Sequence, residues 1–291
     1  MQTSLPVNLS QWVEFLGHAD IPILRKTSNN LVRLRNENAC PSARAAAQII
    51  KQDPLMVIKL LRYLQQHKRQ RQTHDVIQVE QALIMLGVEN ALDQIATRLQ
   101  VEILLHSHSS ALVQLLHRMH RAHVAANYAF EWAVRLHDIH FEEIRTAALL
   151  HDMAELLLWC YVPDKMLAIT ASQQQDPTLR SHHAQEKVLG FTINDLQSKL
   201  VIAWQLPELL TTLLNDSCAG YSRVRNVLLA VNLARHAAHG WDNAALPDDY
   251  RAVGELLRLS TDDVMKLLGV KNTLKASSLP ENSQQQADKR F

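Results

Sequence analysis

The sequence is poor in glycine and in aromatic residues. It holds seven glycines in 291 residues, whereas an average soluble protein contains about 7% glycine, and only 5% of its residues are aromatic. A β-sandwich or a β-barrel needs many tight turns and many strand residues of aromatic type, so this composition argues against both folds. Alternation typical of strands never extends beyond a few residues. The sequence therefore predicts an all-α protein.

Paired cysteines and an excess of charge are also missing. The three cysteines, Cys40, Cys160 and Cys218, are odd in number and show no C-x-x-C spacing. This pattern is typical of free thiols in a reducing compartment rather than of a disulfide framework or a zinc ribbon. Thirty Lys and Arg residues against 29 Asp and Glu residues give a net charge of +1. The chain has no overall field that would attract a nucleic acid or an anionic membrane.

No uninterrupted apolar run reaches the length of a membrane span. The richest apolar stretch, residues 146–163, carries His151, Asp152 and Glu155 near its middle, and a membrane span would exclude these groups. Residues 1–6 lack the basic segment and the apolar core of a signal peptide. We therefore expect a cytoplasmic protein that does not contact a membrane.

Helix start signals recur along the chain. Asn8 precedes an apolar series with i, i+3, i+4, i+7 spacing, and Asp53 precedes Pro54 and a second apolar run; both patterns predict a helix N-terminus. Thr192 and Ser260 are each followed three residues later by an aspartate, which indicates a capping box. Such regular punctuation supports the all-α prediction.

Two long helices are predicted in the middle of the chain. The first covers residues 111–136 and carries three histidines on or near one face. These histidines are His117, His120 and His123. The second covers residues 141–161, with His151 in the centre of its apolar stripe. A lone histidine on an apolar helix face is more often a hydrogen-bonded core residue than a ligand, and we expect this of His117 and His123.

The predicted organisation is two helical lobes and a tail. Residues 1–108 would form one bundle and residues 109–271 the other, with a pocket close to their junction. Residues 272–291 are polar and rich in Ser and Gln, so a disordered tail is expected. Between two predicted helices, Lys68–Arg71 forms a basic stretch without interleaved aromatic residues. A solvated loop is the favoured interpretation, and nucleic-acid binding the weaker one.

Several short motifs resemble those of one protein family. The segment Ala148-Leu-Leu-His-Asp152 resembles the central signature of the HD superfamily of metal-dependent phosphohydrolases, and His120-Arg-Ala-His-Val-Ala125 resembles its upstream histidine helix. The flanking motifs are similar to those of the HD-related output domain, abbreviated HDOD. These motifs are Ser42–Leu55 with Lys59–Leu61 and Gln81–Gly87 upstream, and Glu186–Gly190 with Ala203–Pro207 downstream.

The resemblance covers roughly residues 20–240 and implies both fold and role. HDOD domains are all-helical modules of bacterial signal transduction, often beside receiver or cyclic di-GMP domains, and generally without demonstrated catalysis. The implied partners are signalling proteins, among them components of a cyclic di-GMP pathway.

The resemblance also implies a metal pocket. An HD-type site holds one or two divalent metals with imidazole and carboxylate ligands. The matching positions are His120, His151 and Asp152, with His123 as the rival of His120 one turn away. Adjacent residues lie about 100° apart on a regular helix. His151 and Asp152 can therefore reach one ion only at a junction between two helices.

Three positions depart from the pattern of active relatives. Asn232 stands where the superfamily has its last aspartate ligand, Glu155 stands where active members carry a lysine, and Leu214–Asp216 replaces a paired histidine. An amide brings no negative charge and so weakens the binding of a hard cation. A glutamate in place of the lysine would repel a substrate phosphate.

Two functions remain open at this point. The first is a non-catalytic signalling module with a degenerate pocket, which needs no cofactor and binds a protein or a ligand. The second is a metal-dependent phosphohydrolase or phosphodiesterase, with Asp195 or His236 as a fourth ligand of a divalent metal. Asp195 is also explained as the capping-box carboxylate, and Asp152 could orient His151 through a hydrogen bond instead of binding a metal.

Overall fold

The structure is a computed structural model that describes residues 6–37, 41–67, 75–95, 99–176 and 178–270. Three predicted features lie outside the described residues. They are Cys40, the basic stretch Lys68–Arg71 and the tail 272–291.

The first helices of the described chain are short. They are α1 (Leu9–His18), α2 (Arg25–Glu37), α3 (Ala43–Ile50), α4 (Pro54–Gln66), α5 (Val79–Leu86), α6 (Val88–Ile95) and α7 (Val101–Leu104). The sequence predicts one helix from Glu89 towards Leu105, and this is wrong, because α6 ends at Ile95 and the separate α7 begins at Val101.

The remaining helices begin with the long central helix α8. They are α8 (Ser109–Arg135), α9 (Phe141–Leu150), α10 (Met153–Tyr161), α11 (Pro163–Gln175), α12 (Ser181–Leu189), α13 (Ile193–Ala203), α14 (Glu208–Leu213), α15 (Ser222–His236), α16 (Leu246–Leu257) and α17 (Thr261–Leu267). Among the described residues there is no strand, only an isolated bridge between Ile23 and Gln100. The all-α prediction is confirmed. None of the helices in this part of the chain combines the length and the apolar character of a transmembrane span.

The central helix α8 packs most extensively against α9 and α15. Its buried face is rich in small side chains, among them Ala122, Ala126 and Ala129. Small residues let helix axes approach closely. The buried side chains of the described residues form one continuous cluster, in which Trp12, Trp132 and Trp159 are the largest. This core fixes the helices from which the candidate site is built.

Contacts cross residue 108, the predicted boundary between the two lobes. Helix α1 packs on α13. From α4, the guanidinium of Arg62 lies 5.4 Å from the centre of the Trp204 ring across the boundary, while Lys59 donates a hydrogen bond to Asp20 on its own side. Both α4 cations are buried. The division into lobes at this residue stays a prediction.

The predicted helix starts are confirmed by their hydrogen bonds. The side chain of Asn8 accepts from Gln11 N at 3.0 Å. In the two capping boxes, Thr192 accepts from Asp195 N at 3.1 Å and Ser260 accepts from Asp263 N at 3.2 Å. Local sequence therefore sets where these helices begin.

Asp53 caps α4 and also joins it to the segment that precedes α2. Its carboxylate is fully buried and accepts hydrogen bonds from the backbone N–H groups of Leu55 (3.0 Å), Met56 (3.3 Å) and Leu24 (2.8 Å). Burial raises the pKa of this carboxyl, and these hydrogen bonds offset part of the rise. The side chain thus satisfies donors from two separate parts of the chain.

We predict that Asp53→Ala lowers the free energy of unfolding by about 3 kcal/mol, because it strands three buried N–H donors. Urea unfolding followed by circular dichroism measures the change. Ser260→Ala, which removes an exposed helix cap, is the matched control and should cost about 1 kcal/mol. Equal losses in the two variants would contradict the bridging role of Asp53.

Candidate functional site

A polar cleft of about 440 Å³ lies where α8, α10, α13 and α15 meet. Charged groups of both signs face it. The cationic side chains are Arg118, Arg121 and Arg235, and the acidic ones are Asp152, Glu155 and Asp216. His151 completes this charged cluster. The cleft contains two of the three candidate metal ligands.

His151 and Asp152 lie in a break between α9 and α10. The sequence predicts one helix over residues 141–161, and this is wrong, because α9 ends at Leu150 and α10 begins at Met153. Gln197 of α13 satisfies backbone groups that the break leaves free. Its Nε2 donates to the carbonyl of His151, and its Oε1 accepts from the N–H of Ala154 at 3.2 Å. A buried amide from a distant helix thus stabilises the break.

The ring of His151 is held between two carboxylates. Its Nδ1 lies 3.0 Å from Asp152 Oδ1, and its Nε2 lies 3.0 Å from Asp216 Oδ1. Burial opposes a charge on the ring, but the hydrogen bonds and the attraction of the two carboxylates outweigh burial and raise the pKa of His151 to about 9. Each contact is to an acceptor, so both nitrogens donate. The imidazolium form fits this position.

Arg121 of α8 binds two acidic residues, Asp152 in the break and Glu155 in α10. Its Nη2 donates to Asp152 Oδ2 at 2.7 Å and to Glu155 Oε2 at 3.3 Å. Only 12% of the Arg121 side chain is exposed. One turn earlier, Arg118 Nε donates to Glu155 Oε1 at 2.8 Å. The negative charges of Asp152 and Glu155 are therefore compensated by arginines of α8.

Asp152 is the most strongly stabilised anion in the cleft. Burial disfavours its charge, but the hydrogen bond from His151 and the positive charges of His151, Arg235 and Arg121 outweigh burial and hold the pKa of Asp152 far below its ordinary value. Arg235 Nη2 lies 3.8 Å from Asp152 Oδ1. The carboxylate remains ionised throughout the physiological pH range.

The three candidate ligands do not come together. His120 is exposed and lines a different cavity, on the other side of Arg121. Because α8 turns by about 100° per residue, it presents Arg121 rather than His120 to the His-Asp pair. The prediction that His120 joins His151 and Asp152 is corrected accordingly.

The rival ligand positions also lie elsewhere. His123 Nε2 donates to the carbonyl of Gln52 at 3.1 Å, as expected for a hydrogen-bonded histidine, and burial lowers its pKa. His236 Nδ1 lies 2.6 Å from Asp249 Oδ2. Asp195 serves the capping box.

The residues that depart from the pattern of active relatives do not all face the cleft. Glu155 faces the cleft, where Arg118 and Arg121 neutralise its charge. The expectation that Glu155 repels a substrate phosphate is corrected, because it considered Glu155 without these arginines. Among the described residues of α15, Arg235 lines the cleft and Asn232 does not. His117, expected in the core, is exposed.

Sequence reasoning missed most partners of the His-Asp pair. Arg121 lies inside the histidine motif, where the resemblance points to the histidines beside it. Asp216 lies in the segment that replaces a paired histidine, and nothing in the sequence marks Gln197. Asp216 and Gln197 are separated from His151 by 65 and 46 residues. Only the packing of α13 and of the turn after α14 brings them to the break.

The sequence profile of the HDOD domain matches residues 21–217. The chain belongs to the HDOD family. Its match includes the His-Asp pair and Asp216, so the cleft is part of the HDOD domain itself, while Arg235 follows the matched region. No curated protein matches the sequence.

Two solved structures share the fold of this HDOD protein. One is the MmoQ response regulator from Methylococcus capsulatus str. Bath, with 17% identity and a TM-score of 0.62 over 87% of this chain and 99% of that one. The other is a virulence factor from Campylobacter jejuni subsp. jejuni, with 17% identity and a TM-score of 0.59 over 90% of this chain and 93% of that one. At these identities the likeness concerns the fold.

The charged cluster of this HDOD protein does not fit the divalent metal of an HD-type site. A metal ligand must offer a lone pair, and both nitrogens of His151 donate to carboxylates. Asp152 already binds a guanidinium. Within the described ranges, no group of three or more His, Cys, Asp and Glu residues is arranged to hold a metal ion.

We predict that Arg121→Met lowers the free energy of unfolding by about 3 kcal/mol, because it leaves the largely buried carboxylate of Asp152 without its hydrogen-bonded guanidinium. Chemical denaturation measures the loss. Arg225→Met is the matched control, since Arg225 pairs with Glu255 through side chains that are 40% and 58% exposed. The control should lose less than about 1 kcal/mol. A loss at Arg121 as small as that of the control would be evidence against a buried ion pair.

We predict that stability falls as the pH rises through about 9. The folded-state pKa of His151 lies above the ordinary 6.5, so the stabilisation is complete below pH 6.5 and disappears above the raised value. The full effect is at most about 3 kcal/mol. Unfolding free energies measured across this range should decrease in the native protein. They should decrease less in His151→Gln, and identical slopes would contradict the assignment.

Proposed function

We propose that this HDOD protein is a signalling module that acts by binding a protein or a small ligand and does not hydrolyse phosphate esters. The observation that carries the proposal is the hydrogen bond between Arg121 and Asp152. In a metal-dependent hydrolase this carboxylate would have to bind the metal. Here its negative charge is already matched by a guanidinium of the same protein.

The electrostatics of the cleft support this proposal. A divalent cation at Asp152 would lie close to Arg121 and Arg235, and like charges repel. Displacing Arg121 would leave its guanidinium buried without a partner, which is costly. The protein's own cations therefore compete with a metal for the same carboxylate.

Membership of the HDOD family supports the signalling part of the proposal. The MmoQ protein of similar fold is described as a response regulator. We infer that the partners of this chain are signalling proteins, with components of a cyclic di-GMP pathway among the candidates. No cofactor is required for this role. The competing function is a metal-dependent phosphohydrolase, which the same experiment addresses.

We predict that the protein purified without chelators neither binds Mn²⁺ in the micromolar range nor hydrolyses cyclic dinucleotides or nucleoside monophosphates in its presence. Elemental analysis and calorimetric titration measure metal binding, and release of inorganic phosphate or of linear dinucleotide measures hydrolysis. A metal would need the carboxylate oxygens of Asp152 and a ring nitrogen of His151 as ligands. These atoms are already engaged in hydrogen bonds within the protein.

Asp152→Asn is the matched control for this experiment. A true HD-type centre would lose its metal and its activity in this variant, whereas activity from a contaminating enzyme would be unchanged. Hydrolysis by the native protein that needs Mn²⁺ and disappears in Asp152→Asn would establish the hydrolase and exclude the proposed function.

A further inference from the structure

A second cavity of about 530 Å³ lies beside the polar cleft. It is bounded by α8, by α11 and by the residues that follow α15. The two cavities share Arg118, Arg121 and Thr170 in their linings. They are therefore neighbours with a common wall made largely of two arginines.

The described lining of the second cavity contains arginines and no carboxylate, although both arginines pair with acidic residues on the cleft side. No Asp or Glu belongs to its lining among the described residues, whereas three histidines accompany the two shared arginines. These histidines are His117, His120 and His239. The charged side chains of this lining are the two arginines, and the three imidazoles can donate hydrogen bonds to an anion. Such a surface favours a negatively charged ligand.

Aromatic rings form the other part of the lining. Tyr128 stacks on the buried Trp132 with ring centres 5.8 Å apart, which fixes its orientation. Trp241 lines the same cavity. It directly follows Gly240, whose φ of +129° lets the chain turn sharply. Ala234, Ala237 and Ala238 add small apolar contacts. Rings of this kind bind a planar ligand by stacking.

Trp241 differs from every other tryptophan of the chain. It is 42% exposed, whereas the other four tryptophans are at most 4% exposed. Exposure of an indole ring to water is unfavourable, and covering the ring with a ligand lowers the free energy. The exposed indole is therefore the group that would gain most from an occupant of this cavity.

We propose that the second cavity binds a small anionic molecule that contains a planar aromatic ring. The ring lies against Trp241 and Tyr128, and the anionic group faces Arg118 and His120. Arg118 uses its Nε to bind Glu155, and a guanidinium carries further N–H donors for an anion. This site does not depend on the proposed absence of hydrolysis, because His151 and Asp152 line only the cleft, although the two cavities share their arginine wall.

Three probes separate the two parts of the proposal. Naphthyl phosphate carries both the ring and the charge, naphthol carries only the ring, and inorganic phosphate carries only the charge. In calorimetric titrations of the full chain, naphthyl phosphate should bind at least about tenfold more tightly than either of the others. Binding should also change the emission of Trp241, since the remaining tryptophans are buried.

Two variants locate the binding site. Trp241→Ala removes the stacking ring and Arg118→Gln removes one positive charge, and each should weaken naphthyl phosphate about tenfold or more. Tyr221→Ala and Arg251→Gln are the matched controls, because both residues are exposed and line neither cavity. Both controls should bind as the native protein does. Trp241→Ala should also lose the emission change.

Equal affinity for naphthyl phosphate and naphthol would overturn the anionic part of the proposal. Undiminished affinity in Trp241→Ala, or no binding by the native protein, would overturn the site. Release of naphthol during the titration would contradict the proposed function but would support binding of the probe, provided that Trp241→Ala slows it. The two proposals can therefore fail separately.

Discussion

The ion pair between Arg121 and Asp152 is the contact on which the functional region depends. It joins the central helix α8 to the break between α9 and α10, and together with His151 and Arg235 it outweighs the burial that raises the pKa of the Asp152 carboxyl. The ionised carboxylate then holds the ring of His151, whose far side contacts Asp216. Arg121 thus belongs, with His151 and Arg235, to the cations that keep Asp152 ionised in a chain of contacts that spans three parts of the sequence.

The same contact determines which group the carboxylate of Asp152 binds. A histidine-aspartate pair is a suitable metal ligand only if its lone pairs face an open position. Here they face hydrogen-bond donors and acceptors supplied by the protein. The residue that the neighbouring helix α8 presents to this pair therefore decides what the carboxylate of Asp152 binds. In this chain that residue is a cation.

The two cavities are linked through the arginines that separate them. On one side Arg118 and Arg121 are paired with acidic residues, and on the other side they face histidines and aromatic rings. An anion in the second cavity would share these guanidinium groups with Glu155 and Asp152. Occupation of the second cavity would then alter the ion pairs in the cleft. This is a physical basis for coupling ligand binding in the second cavity to the structure of the cleft.

The sequence alone determined the all-α class, the capped helix starts at Asn8, Asp53, Thr192 and Ser260, and the family, because these follow from local patterns and contiguous motifs. It also placed His151, Asp152 and Glu155 in one region. Only the tertiary structure decided that the helix breaks between Leu150 and Met153, since the distant Gln197 satisfies the free backbone groups. The rotation of α8 against its neighbours likewise decided that Arg121, and not His120, meets Asp152, because helical periodicity fixes which residues share a face but not which face a neighbour contacts.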